Sequence, residues 1–77
     1  MIQVGAYPAE QDAKQRLSVV QSKAAKVLVG ADPFTESVDK GGTTLYRARF
    51  AGLDKEKAEA ACKALKRDGV ECVTIKN

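Results

Sequence analysis

Residues 45–50, Leu-Tyr-Arg-Ala-Arg-Phe, alternate strictly: Leu45, Arg47 and Arg49 fall on one side of an extended chain, and Tyr46, Ala48 and Phe50 on the other. A period of two with one apolar side predicts a half-buried strand, with the arginines on an open sheet face and Tyr46, Ala48 and Phe50 packed against a second layer. The open face is therefore where function is to be sought.

The chain then repeats its own plan. Ile2, Gln3, Val4, Gly5, Ala6 and Tyr7 lead into a helix-like run containing Ala13 and Leu17, as Ala48, Arg49, Phe50, Ala51, Gly52 and Leu53 lead into one containing Ala58 and Cys62. Two strand-then-helix halves are too few for a solenoid and must close on each other, which is the split βαβ plan.

In the first half, Ile2, Val4 and Ala6 alternate with Gln3 and Gly5, predicting a strand that ends near Tyr7 and Pro8. Ala13, Leu17, Val20, Ala24, Val27 and Leu28 follow helical spacing, and Gly30 supplies the stop. Asp32 and Pro33 read as a turn, residues 34–38 as a short strand, and residues 39–42 as a hairpin loop. Asp54 is a helix N-cap candidate for a second helix bearing Ala58, Ala61, Cys62 and Leu65 on one face and ending by Asp68 and Gly69; residues 70–75 form the last strand.

The expected architecture is α+β: a βαββαβ, ferredoxin-like domain over residues 1–77, with a four-stranded antiparallel sheet and both helices on one face. Parity places Gln3, Leu45, Arg47 and Arg49 on the open face, joined by Thr35 and Ser37. In the last strand, Val73 and Ile75 are exposed if Cys72 and Thr74 face the helices.

A chain of 77 residues buries only roughly 60% of the surface its unfolded form exposes, so a surface site is favoured over an enclosed one. The net charge of +3 is too small, and too spread over helix surfaces, to announce a nucleic-acid partner. The longest apolar runs fall far short of a bilayer crossing. No signal-peptide pattern precedes the first strand, consistent with a domain cut from a longer, exported chain.

Enzymatic chemistry finds little support. Glu10 with Asp12, and Glu56 with Glu59, read as solubilising charge on helix turns; there is no phosphate loop, nucleophile elbow or metal motif. The chain has no histidine, so neither Cys62 nor Cys72 has a base or the partners of a zinc site. The two cysteines are either buried thiols or a disulfide, and the compartment decides between them. No catalytic residue, metal or cofactor is expected. On the open face, Arg47 and Arg49 offer planar forks suited to carboxylate or phosphate, and Gln3 both a donor and an acceptor: a polar floor for an extended ligand.

These motifs carry a resemblance. Residues 2–7, Ile-Gln-Val-Gly-Ala-Tyr, and residues 46–52, Tyr-Arg-Ala-Arg-Phe-Ala-Gly, each followed by an alanine-centred helix, resemble the SPOR (sporulation-related repeat) domain, whose pattern is close to VQVGSF and YRVRVGPF. The wording around them is similar to the version found at the C-terminus of alphaproteobacterial D-alanyl-D-alanine carboxypeptidases. The resemblance implies a non-catalytic, monomeric module in the periplasm at the septum. It would bind peptidoglycan glycan strands stripped of stem peptides across its open face, with no nucleic-acid or membrane partner. The family's glutamine falls on Gln3 and its arginine on Arg47. The serine after its first-strand glycine falls on Ala6, and a frequent aromatic falls on Leu45. With Thr35 and Arg49 added by parity, the expected glycan-binding set is Gln3, Ala6, Thr35, Leu45, Arg47 and Arg49, and an oxidising periplasm implies a Cys62–Cys72 disulfide. The alternative is a single-stranded RNA-binding module of the same topology, or a protein-interaction module using Leu45, Val73 and Ile75. RNA recognition wants aromatics at the centre of the sheet, where this chain has Gln3, Arg47 and Arg49.

Overall fold

The computed structural model describes residues 1–75; Lys76 and Asn77, the last two of the expected domain, lie outside the described residues. The elements are β1 (Ile2–Tyr7), α1 (Glu10–Lys23), β2 (Asp32–Lys40), β3 (Thr43–Ala51), α2 (Lys55–Arg67) and β4 (Val73–Thr74), in the βαββαβ order expected from the repeated halves. The strands form one antiparallel sheet in the order β2-β3-β1-β4. Ala13, Leu17 and Val20 of α1, Ala58, Ala61, Cys62 and Leu65 of α2, and Ile2, Val4, Ala48 and Phe50 of the central strands form a single buried cluster. Both helices therefore cover one face of the sheet and leave the other open.

The two helices are finished differently. Asp54 accepts a hydrogen bond from the Lys57 N–H at 2.8 Å, capping α2 as expected. At the other end, Val70 N–H donates to the Leu65 carbonyl at 2.9 Å and Gly69 N–H to that of Lys66 at 3.1 Å. That is a Schellman closure, with buried Val70 and Leu65 as its apolar contact. The position before α1 is Ala9, which has no side chain to cap with. α1 also ends earlier than its periodicity suggested, at Lys23, and Ala24 leaves the helical region at φ −124°, ψ 38°. Residues 24–30 continue as turns. Ala24 and Leu28 are nevertheless buried, because helical spacing reports which side chains reach the core and not whether the backbone ladder is unbroken.

β2 spans Asp32–Lys40, longer than expected, and contains Pro33 within the strand rather than in a turn. Proline is tolerated there because β2 is an edge strand, with one side of its backbone outside the ladder. The hairpin loop to β3 is the pair Gly41-Gly42, both at positive φ (59° and 83°), as a twist-matched two-residue turn requires. The Thr44 hydroxyl donates to Asp39 Oδ1 at 2.6 Å and closes the hairpin. The last strand is shorter than residues 70–75, with only Val73 and Thr74 in the sheet. Cys72 beside it is bonded to Cys62, with Cα atoms 5.2 Å apart. Of the inward side of β3, Ala48 and Phe50 are fully buried, while Tyr46 is half-buried at the end of the sheet.

Candidate binding face

β1 carries a bulge. Gln3 pairs with Arg49 and Gly5 with Ala48, so one residue, Val4, is extra on the β1 side. Gly5 is tightly placed: a Cβ there would lie 2.6 Å from the Tyr7 hydroxyl oxygen. Beyond the bulge Ala6 pairs with Arg47 and Tyr7 with Tyr46. Ala6 is thus exposed on the open face, whereas simple alternation had grouped it with Ile2 and Val4 on the helix side.

β2 also departs from the sequence reading. Thr35 pairs with Ala48 and Ser37 with Tyr46, which places both on the helix side of the sheet. Thr35 lines a cleft with Pro33 and with Lys14, Leu17, Ser18 and Gln21 of α1. Its expected place among the open-face residues is therefore corrected. Phe34, which also borders that cleft at the sheet edge, pairs with Arg49, Glu36 with Arg47, and Val38 with Leu45. Cross-strand partners share a face, so these three are the central β2 residues of the open side, with Asp32 opposite Ala51 and Lys40 opposite Thr43 at its two ends. The reason lies in the loop: the two-residue connection Gly41-Gly42 between Lys40 and Thr43 sets Glu36, not Thr35, level with a residue of the Leu45, Arg47, Arg49 series.

The centre of the open face therefore has three rows. Phe34, Arg49, Gln3 and Val73 run across all four strands; Glu36, Arg47 and Ala6 form the second row, and Val38 and Leu45 the third. Val73 is 51% exposed, as expected if Cys72 faces inward.

The two arginines differ. Arg49 is only 9% exposed, its Nε donating to Gln3 Oε1 at 3.0 Å and its terminal nitrogen paired with Glu36 Oε2. A charged group can be taken out of water at such a site because two acceptors meet it, one of them a carboxylate. Arg47 is half-buried and makes no ion pair or side-chain hydrogen bond among the described residues. The face thus brings Gln3, Ala6, Leu45, Arg47 and Arg49 together and leaves Thr35 out, and it adds Glu36, Phe34 and Val38, which the pairing register would have found.

No cluster of three or more His, Cys, Asp or Glu residues able to hold a metal occurs among the described residues. Nor is any helix among them long and apolar enough to cross a membrane. An open, polar sheet backed by two helices defines a small α+β module of βαββαβ order. The family model of the SPOR domain matches residues 1–76, and the chain belongs to that family. It is similar to the cell division protein FtsN of Caulobacter vibrioides, with 33% identity over 72 residues. The aligned region covers 92% of this chain and spans about a quarter, 27%, of that relative. Among solved structures it resembles the RlpA SPOR domain from Pseudomonas aeruginosa, with a TM-score of 0.65 and 19% identity, covering 96% of each chain. It also resembles the peptidoglycan binding domain of the B. subtilis cell wall lytic enzyme CwlC, with a TM-score of 0.58 and 18% identity, covering 96% of this chain and 82% of that one. Both likenesses bear on the fold.

Proposed function

We propose that the domain binds peptidoglycan glycan strands across its open face, preferring strands stripped of stem peptides, and so holds a parent cell-wall protein at the division septum. The observation that carries this reading is Arg47: a half-buried guanidinium without an ion-pair or side-chain hydrogen-bond partner among the described residues, beside exposed Ala6 in its own row and with Gln3 and Leu45 in the rows on either side. A muramic acid unit without its peptide carries a free carboxylate, which a planar fork accepts bidentately; an intact stem replaces that charge with an amide and adds bulk against the floor. Family membership, the likeness to a cell division protein and the shared fold of a peptidoglycan binding domain support the same reading.

In this reading Gln3, Ala6, Leu45 and Arg47 contact the glycan, with Arg49 in the layer beneath them. The domain acts as a monomer in the periplasm, the Cys62–Cys72 bond fits an oxidising compartment, and neither nucleic acid nor membrane is a partner. The motif wording supports a D-alanyl-D-alanine carboxypeptidase as the parent. Co-sedimentation with amidase-treated sacculi, untreated sacculi and a homopolymeric RNA tests the proposal. Arg47→Ala should reduce binding to treated sacculi most, Gln3→Ala less, and Lys66→Ala on α2 not at all. Equal binding by all three variants at physiological salt overturns it. Preference for RNA would instead point to Phe34, the aromatic of the open face, as a stacking platform.

A further inference from the structure

Arg49 lies in the layer beneath the face with two of its nitrogens committed, and its two acceptors are not equivalent. A primary amide has one acceptor oxygen and one donor nitrogen. Because Arg49 Nε–H takes Gln3 Oε1 at 3.0 Å, the Gln3 amide has a fixed sense: the flipped orientation would set an NH2 group against a guanidinium N–H, donor against donor. Gln3 therefore keeps its NH2 for whatever lies on the sheet. Glu36, level with Arg47 but bonded to Arg49, cancels the charge of the buried arginine and leaves that of Arg47 free.

We propose that Glu36 and Arg49 are positioning residues that make the centre of the open face, between Asp32 and Lys40 at the two ends of β2, a donor floor with one free positive charge. The floor then selects a largely neutral, oxygen-rich polymer bearing isolated carboxylates and discriminates against dense polyanions. Two bare arginines two residues apart on one strand, about 7 Å, would form a general polyanion site driven by charge and counterion release. Glu36 removes half of that attraction without obstructing Arg47. The inference rests on the open face being the glycan site, and it goes beyond that reading by giving specificity to residues that need not touch the ligand.

The test uses the purified domain, amidase-treated sacculi and linear polyphosphate as the polyanion. Glu36→Gln keeps the side chain's shape and one acceptor for Arg49 but uncovers its charge. It should raise polyphosphate binding several-fold, with a steeper loss of binding as salt increases. Gln3→Glu still offers Arg49 an oxygen but turns a second, charged oxygen to the ligand. It should bind treated sacculi about tenfold more weakly than Gln3→Ala, the reverse of what simple shape conservation predicts. Arg49→Lys keeps the charge and loses the Nε–H donor, so glycan binding should fall while polyphosphate binding stays as in the unaltered domain; it stands in if Glu36→Gln does not fold. The inference is overturned if Gln3→Glu binds as well as Gln3→Ala, or if neither Glu36→Gln nor Arg49→Lys changes the ratio of glycan to polyphosphate binding. If the unaltered domain does not sediment with treated sacculi, the glycan reading itself fails, and the polyphosphate arm still decides the role of Glu36.

Discussion

The two outer strands flank the same central pair and are held in opposite ways. β2 pairs with β3 along its whole length, from Asp32 opposite Ala51 to Lys40 opposite Thr43, and is joined to it by a two-residue turn. β4 contributes only Val73 and Thr74, paired with Gln3 and Ile2, with a further hydrogen bond from Ile75 N–H to the Met1 carbonyl at 2.9 Å. What fixes β4 lies beside it: Cys72, bonded to Cys62 of α2, and Val70, which closes the C-terminus of that helix. One edge is secured by a local ladder, the other by a covalent link and the buried Val70. The distinction reaches the open face, because β4 carries Val73 beside Gln3 and so completes the first row.

The largest expected effect follows from removing the link. Replacing both Cys62 and Cys72 with alanine should cost about 2–5 kcal/mol in urea unfolding, as for other small domains that lose a native disulfide. A loop of this length, between cysteines 10 residues apart, contributes about 2–3 kcal/mol in the chain-entropy model. Hydrogen exchange sharpens the comparison. The amides where β4 meets β1 should lose protection first, while those between β2 and β3 retain theirs relative to global unfolding. Uniform loss across both edges would show that the two are not independently held.

The second effect belongs to the other edge. Gly42→Ala places a Cβ at φ 83°, a region costing a non-glycine residue about 1–2 kcal/mol. The urea midpoint should fall accordingly, with exchange rising first at Lys40 and Thr43. A variant as stable as the parent would mean that the nine-residue ladder, and not its turn, sets the register of β2.

How much of this was legible follows the same division. Element order and the buried faces of both helices could be read because each rests on a local period, and Arg47 sits where the alternation of β3 placed it. Three things required pairing partners that a local period does not contain. The bulge after Gln3 moves Ala6 across the sheet through one extra residue, with only the glycine at position 5 as a hint. The side assigned to Thr35 depends on register with β3, which the even loop length determines but the strand's own composition does not. The contrast between Arg47 and Arg49 comes from Glu36 and Gln3 on different neighbouring strands, so two arginines that look alike in sequence differ in what they can offer a ligand. The short β4 was masked by Val70 and Cys72, which are buried like strand residues while lying outside the strand.

The smallest expected effects concern how the helices start, and they distinguish the layer that holds β4 from the one that does not. α2 begins with Asp54, whose carboxylate takes the Lys57 N–H, whereas α1 begins after Ala9, an extended residue at φ −119°, ψ 133° with no capping group. Asp54→Ala should cost about 1 kcal/mol, within the usual range for a lost cap. Because α2 carries the disulfide to β4, exchange near Val73 should rise with it. Ala9→Asp supplies the missing cap at a backbone already in the required conformation and places a negative charge at the positive end of α1, so it should gain a few tenths to about 1 kcal/mol. Glu10 and Asp12 already occupy the first turn of α1, and their repulsion holds the gain to the lower part of that range. Added salt screens this repulsion more than it weakens the hydrogen bond, so the gain should grow between low and moderate ionic strength. A gain that instead shrinks with salt would show that the helix dipole dominates at Ala9.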